Sequence, residues 1–353
     1  MLTISKPLSA AQAHSYHQHE FSNSQDNYYS EGQRIRGEWH GRLAQCWGLK
    51  GEVQAEHFAA LAGGQHPLTG EQLVQHRSAY EYLNRQGETI HTMEHRAGWD
   101  ATFSAPKSVS LTALVGGDER VGVAHREAVN VALDELEKYV QARIGGNHQP
   151  EATGKWVAAR FEHDSSRPVD GYAAPQLHTH VVIFNVTERE NGETRALQPH
   201  ELYRSQQFAT AVYRAELALR LRELGYQVEQ SASGAPEIKG YTQEYLDASS
   251  PRRQQIKEHL NQEGVRGAEA AEIAAHRTRD AKLEVSHEEM QRRHQEVAVQ
   301  YGNQEERAVL EAQARACQIA PASEEQTNRA VREAVRYAVE KNFERTPFRA
   351  NVI

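Results

Sequence analysis

The sequence predicts an α+β fold: a central antiparallel sheet of about five strands flanked by helices, followed by a helical region. Three observations carry that reading. Short runs with strand-like alternation recur between residues 98 and 186. An Asn191-Gly192 pair, the strongest short hairpin signal, follows them. From Thr242 onward the chain turns almost wholly helical and strongly charged.

Residues 1–60 are dense in Tyr, His and Trp: Tyr16, His17, His19, Tyr28, Tyr29, Trp39, His40 and Trp47. Residues 61–90 read as loop and short helix, broken by Gly63-Gly64 and Pro67. Residues 98–104 alternate as a strand, and Ser104 is the expected cap of a helix through 109–114. An amphipathic helix is expected over 118–143, with Val121, Ala124, Val129, Ala132, Leu133, Leu136 and Val140 on its apolar stripe and Gly145-Gly146 as its stop. Strands follow at 155–161, 177–186 and 195–197, the last two joined through Asn191-Gly192. A helix over 206–225 ends at Gly225, and 226–229 pairs with 237–239 as a second hairpin. The remaining helices are separated by Ser249-Ser250-Pro251, Glu263-Gly264, Gly302 and Pro321.

A length of 353 residues suggests two domains at roughly 150 residues each. A chain 39% hydrophobic and 25% charged is soluble and still able to bury a core. No apolar run approaches the ~20 residues that span a bilayer, and no apolar signal core follows Met1, so membrane insertion and secretion are not expected. Cys46 and Cys317 cannot build a disulfide framework, which suits a reducing cytoplasm. The net charge of -8 is spread evenly and gives no bulk case for a nucleic-acid partner. The 19 histidines exceed ordinary usage, and histidine is the commonest metal ligand.

The sharpest local feature is Pro175-Gln176-Leu177-His178-Thr179-His180-Val181-Val182-Ile183-Phe184. On a strand, His178 and His180 share one face, while Thr179, Val181 and Ile183 take the other. His163 follows Val157, Ala159 and Phe161 at spacing two, and antiparallel pairing of the two strands would bring it to the same place. Three imidazoles leave positions open on a divalent ion, as a catalytic site requires. Read from spacing alone, the group is either such a site or three strand-end histidines. Asp100 is a candidate partner for a ligand's second N–H, or else an edge-strand acid. Tyr16, Tyr28 and Tyr29 are packing residues or nucleophiles, and a phenol of pKa near ~10 needs a metal or base beside it to attack anything.

Four ordered blocks meet a known pattern: the Tyr-rich N-terminus; Asp100-Ala101-Thr102-Phe103-Ser104-Ala105-Pro106-Lys107-Ser108-Val109-Ser110; Phe161-Glu162-His163-Asp164-Ser165-Ser166-Arg167; and Pro175-Gln176-Leu177-His178-Thr179-His180. Over residues 1–240 the chain resembles the relaxase domain of conjugative plasmid relaxases, the MobF or TrwC-type class of the HUH endonucleases. Unlike many members, it follows Tyr16 with His17 rather than a second tyrosine.

The resemblance implies a five-stranded antiparallel sheet and a divalent metal, Mg²⁺ or Mn²⁺ with Zn²⁺ as the alternative, on His163, His178 and His180. It makes Asp100 the acid that orients a ligand histidine, Tyr16 the first catalytic tyrosine, and Tyr28 or Tyr29 the second. The expected function is site- and strand-specific nicking of single-stranded DNA at a plasmid transfer origin, through a 5′-phosphotyrosyl intermediate that can be religated. Expected phosphate contacts near the site are Lys107, Lys155, Arg160 and Arg167. Expected partners are a hairpin-flanked nick site, accessory relaxosome proteins and a coupling protein. The protein is expected to be a monomer of the bacterial cytoplasm that travels to the recipient with the DNA. Its expected division is a catalytic domain at 1–240, a helical DNA-covering region at 241–320 and the start of a linker or next domain at 321–353. No Gly-x-x-x-x-Gly-Lys loop occurs, so the chain is expected to stop before a helicase domain. The rivals are a rolling-circle replication initiator, a hydrolytic metal nuclease and a non-catalytic DNA-binding module.

Overall fold

A computed structural model describes residues 1–16, 37–74, 81–83, 89–91, 95–278 and 287–317, with single positions at 332 and 336. Its centre is an antiparallel sheet in the order Leu2–Ile4, Arg96–Ser104, Pro175–Phe184, Ala158–Ser165, Glu38–His40, with Leu8–Ser9 also paired to Arg96–Ser104. The central Pro175–Phe184 strand is buried on both sides in its second half. In its first half burial alternates, with Leu177 and Thr179 covered and His178 and His180 part-exposed. One face of the sheet is therefore open where the histidines lie.

The opposite face is sealed. Helices Glu119–Glu137 and His200–Glu223 lay Val129, Leu133, Leu136, Tyr213, Leu217 and Leu221 against Trp99, Ala101, Phe103, Val181 and Ile183. On the histidine face, helices Arg42–Cys46 and Ala55–Ala62 pack Leu43, Phe58 and Leu61 over Val182, Phe184, Ala159 and Phe161. Helix Ala10–Tyr16 lies on this same face, with Ala13 inside that cluster.

The two central strands approach closely at Gly98. A Cβ there would fall 2.1 Å from the backbone oxygen of Ile183. Gly98→Ala is therefore expected to lower stability by about 3 kcal/mol, since neither backbone can yield without parting the ladder. A urea unfolding midpoint read by circular dichroism checks this, and an unchanged midpoint would refute it.

Several sequence expectations are corrected. The helix expected over 118–143 ends at Glu137. Its last carboxylate is drawn into tertiary bonds, accepting the N–H groups of Trp156 at 2.9 Å and Arg42 at 2.8 Å. Gln141–Ala142 then pairs with Glu151–Ala152. Ser104 is not a cap, because it is still in the strand opposite His178. The helix is Lys107–Leu114, and Glu237 of a distant hairpin accepts Ser108 N–H at 3.3 Å in place of a local cap. The Asn191-Gly192 turn joins Thr187–Glu188 to Thr194–Arg195, a ladder separate from the main sheet. Gly225 does end its helix, at φ +92°, and a Cβ there would meet Ala312 O of the last described helix at 2.1 Å.

Among the described residues, the helices Gln243–Ala248, Pro251–Glu263, Ala268–Arg277, His287–Gln300 and Gln304–Ala316 follow residue 240. The last packs on Lys107–Leu114, and Met290, His294, Ala298 and Ala312 are buried.

Candidate functional site

Strand register builds the site. His178 lies opposite His163 on one neighbour and opposite Ser104 on the other, while His180 lies opposite Thr102. The three imidazoles meet: ring centroids are 5.2 Å apart for His163–His178, 5.2 Å for His163–His180 and 5.1 Å for His178–His180. A turn of two left-handed residues, Asp170 at φ 49° and Gly171 at φ 79°, closes the connection between the His163 and His178 strands. Val169 and Tyr172 exchange two 3.0 Å backbone bonds across it.

Two of the rings are tied back by one nitrogen. His180 Nδ1 donates to Asp100 Oδ2 at 2.8 Å, and Thr102 Oγ1 donates to the same oxygen at 3.3 Å. His178 Nδ1 donates to the carbonyl of Gln176 at 2.9 Å. Each tie puts the proton on Nδ1 and leaves Nε2 as the lone-pair donor, the tautomer that metal-binding histidines use. Burial, and then the neighbouring His180, push the His178 pKa down to about 3, so its ring is neutral. Asp100 is 6% exposed, and its backbone N–H donates to Ser5 Oγ at 2.9 Å.

The donor set thus fits a divalent ion. As the rings stand, no three His, Cys, Asp or Glu side chains among the described residues form a ready ion cage. The His163 and His178 planes are 23° apart, so these two rings lie stacked. A χ2 rotation is soft, so the rings can turn toward a shared ion without moving their strands.

The basic candidates separate. Lys107 stands beside the site and donates to Pro175 O at 2.7 Å, and burial lowers its ammonium to about 7 against the pull of Glu237. Arg167 is half-buried in the connection between the His163 and His178 strands. Arg160 does not reach the site. It faces the sealed side of the sheet, where Asn130 and Glu38 hold it, because residue 160 is odd-numbered from His163 by three. Lys155 lies before the other end of the strand and pairs with Glu188 at 3.0 Å. Tyr16 is the last residue of its helix, and Tyr28 and Tyr29 lie outside the described residues.

Sequence reasoning missed His125. It is fully buried behind the site, with Nε2 3.0 Å from Thr179 Oγ1 and Nδ1 2.8 Å from the Tyr213 hydroxyl. Burial pushes its pKa to about 3. It fixes the residue between His178 and His180 from the opposite face. An isolated histidine within a helix pattern gave no signal for that.

Comparison with known proteins follows the same lines. The family described as TrwC relaxase matches residues 10–301. The multifunctional conjugation protein TraI of Escherichia coli is 34% identical over 303 residues, which cover 82% of this chain and 15% of that protein. TraI of strain K12 matches to the same extent. The chain therefore spans only a small part of the curated relatives it matches. Among solved structures, metal-bound conjugative relaxase TrwC in complex with oriT DNA has a TM-score of 0.70 at 33% identity, covering 86% of this chain and 99% of that one. A copper-bound TrwC complex gives the same values. TrwC with a 27-mer DNA comprising the recognition hairpin and the cleavage site has a TM-score of 0.68 at 32% identity, with the same coverage.

Proposed function

The chain belongs to the TrwC relaxase family, and from that premise we propose that it nicks one DNA strand at a plasmid transfer origin by transesterification and can reseal it. The observation that carries the reading is the face of three histidines, on the side of the sheet where helix Ala10–Tyr16 packs through Ala13. His163, His178 and His180 hold a divalent ion, Mg²⁺ or Mn²⁺ with Zn²⁺ as the alternative. When bound, it polarises the scissile phosphate and offsets the charge that grows as phosphorus is attacked.

Asp100 keeps His180 in the donor tautomer. Its second oxygen, Oδ1, is buried without a hydrogen-bond partner among the described residues, and we assign it as acceptor of the phenolic proton. Tyr16 is the nucleophile: its Oη bonds to phosphorus while the bond from phosphorus to the DNA 3′ oxygen breaks. The departing oxygen takes up a proton, leaving a 3′-hydroxyl and a 5′-phosphotyrosyl strand. One phosphodiester replaces another, so the step reverses without ATP. Tyr28 or Tyr29 performs a second transfer. Lys107 and Arg167 contact backbone phosphates near the cut.

Three neutral ligands leave the ion's charge undiminished, which supports DNA binding by a chain of net charge -8. The oriT DNA in the TrwC complexes supports single-stranded origin DNA, with its flanking hairpin, as the partner. Relaxosome proteins, a coupling protein, a bacterial cytoplasmic setting and entry into the recipient belong to the same proposal. So does the division into a catalytic unit at 1–240, a DNA-covering region at 241–320 and the start of a linker or next domain at 321–353. No described helix is long and apolar enough to cross a membrane.

The test uses end-labelled single-stranded oligonucleotides tiled across a transfer origin, with Mg²⁺ or with EDTA, on a denaturing gel. A protease-sensitive adduct that needs the metal is expected. Free cut ends without an adduct would mean a hydrolytic nuclease, and binding without cutting a binding module. An adduct formed only on a replication origin would mean an initiator.

A further inference from the structure

The stretch that leads into the histidine strand is held carbonyl by carbonyl. Ala173 O accepts from His294 Nε2 at 2.8 Å. Ala174 O accepts from Ser166 N at 2.8 Å. Pro175 O accepts from Lys107 Nζ at 2.7 Å, and Gln176 O from the Nδ1 of His178 itself. Leu177 O accepts from Ala105 N at 3.0 Å. Four of these donors lie within residues 104–178 or on the adjoining strands. The fifth, His294, comes from helix His287–Gln300, more than a hundred residues away.

That helix grips the hairpin at three points. Arg293 Nη1 donates to Gly171 O at 2.8 Å, on the left-handed turn. The His294 ring meets Tyr172 edge-on, with centroids 5.5 Å apart. His294 is 1% exposed, and burial holds its pKa at about 4, so it is a neutral N–H donor. Gln295 Nε2 also donates to Val115 O at 3.2 Å, tying the same helix to the end of Lys107–Leu114. A ladder register shift lies between Pro175 and His178, where regular pairing no longer fixes the strand. The helix holds the chain at Gly171–Ala173, immediately before that irregular stretch.

We propose that His294 is a positioning residue for the histidine face: by fixing Ala173 O, with Arg293 on Gly171 O, it sets where His178 meets His163. This rests on the reading of that face as a metal site. The C-terminal helices are then part of the catalytic unit as well as a candidate cover for DNA.

The experiment titrates Mn²⁺ alone into the full chain by calorimetry, for the wild type and for His180→Ala, His294→Ala, His294→Gln and Arg293→Ala. Binding of an origin oligonucleotide in EDTA and thermal midpoints are measured beside it. His294→Ala is expected to weaken Mn²⁺ binding about tenfold, the scale of lost outer-shell support. His294→Gln, which keeps an N–H donor, is expected to recover most of that, and Arg293→Ala to lose about threefold. Oligonucleotide affinity in EDTA is expected to stay within about twofold, because Arg293 and His294 donate their N–H groups to the carbonyls of Gly171 and Ala173 rather than to phosphate.

Wild-type Mn²⁺ affinity in both His294→Ala and Arg293→Ala overturns the proposal. So does a Gln variant no better than Ala when both fall equally in thermal midpoint, which is ordinary loss of packing. If His294→Ala does not fold, Arg293→Ala decides. Should His180→Ala bind Mn²⁺ like the wild type, the metal-site reading itself fails and takes this proposal with it. Loss in His180→Ala with none in the His294 and Arg293 variants sinks the proposal alone.

Discussion

Tyr16→Phe is expected to leave no covalent protein–DNA adduct on a denaturing gel while Mn²⁺ binding and oligonucleotide binding persist. The change deletes one oxygen and nothing else. A phenyl ring has no lone pair for phosphorus, so no rate remains to be slowed, and the loss should exceed about a thousandfold. Helix Ala10–Tyr16 lies on the sheet face that carries the histidines, with Ala13 in the cluster there. An adduct retained in Tyr16→Phe but lost in Tyr28→Phe or Tyr29→Phe would assign the first nucleophile to that residue instead.

Asp100→Asn is expected to weaken Mn²⁺ affinity by about 10–100-fold, and cleavage by at least as much. The carboxylate accepts His180 Nδ1–H at 2.8 Å and has no proton of its own to offer. An amide in its place has two faces. With its NH₂ toward the ring, it favours the other tautomer and puts a proton on the very nitrogen that must donate to the ion. Thr102 Oγ1, 3.2 Å from the same Nδ1, adds nothing to select between them, since a hydroxyl serves either way. His180→Ala, which removes the proposed ligand outright, should cost cleavage about a thousandfold or more, because Lewis-acid stabilisation is worth several kcal/mol. Calorimetric titration and single-turnover cleavage measure both. Unchanged Mn²⁺ affinity in Asp100→Asn would show that the acid does not orient the ring.

The histidine face was legible because strand geometry has a period of two. His178 and His180, and the series Val157, Ala159, Phe161, His163, needed only that period and antiparallel pairing to converge. The long elements were legible for the same reason, since a stripe over many residues averages out local exceptions. What escaped was decided by partners distant in sequence. The edge strands Leu2–Ile4 and Glu38–His40 are three residues each, too short to show a pattern. The early stop at Glu137 depends on Trp156 and Arg42. Arg160 was placed near the site on proximity in sequence, yet its position in the pleat turns it to the other face. His125 and His294 were invisible, since each acts on a segment more than fifty residues away.

The Asp170-Gly171 turn has a consequence for how the site assembles. His163 and His178 are fifteen residues apart and face each other across one hairpin, so closing that loop costs little chain entropy. His180 belongs to the same hairpin, so all three histidines come together through local contacts. Asp100 is separated from His180 by 80 residues and Ala173 from His294 by 121. Proximity of the histidines is thus encoded in a short stretch of chain, whereas their orientation is bought with contacts far apart in sequence. Truncating or destabilising the far ends leaves the histidines neighbours but takes away what aims them.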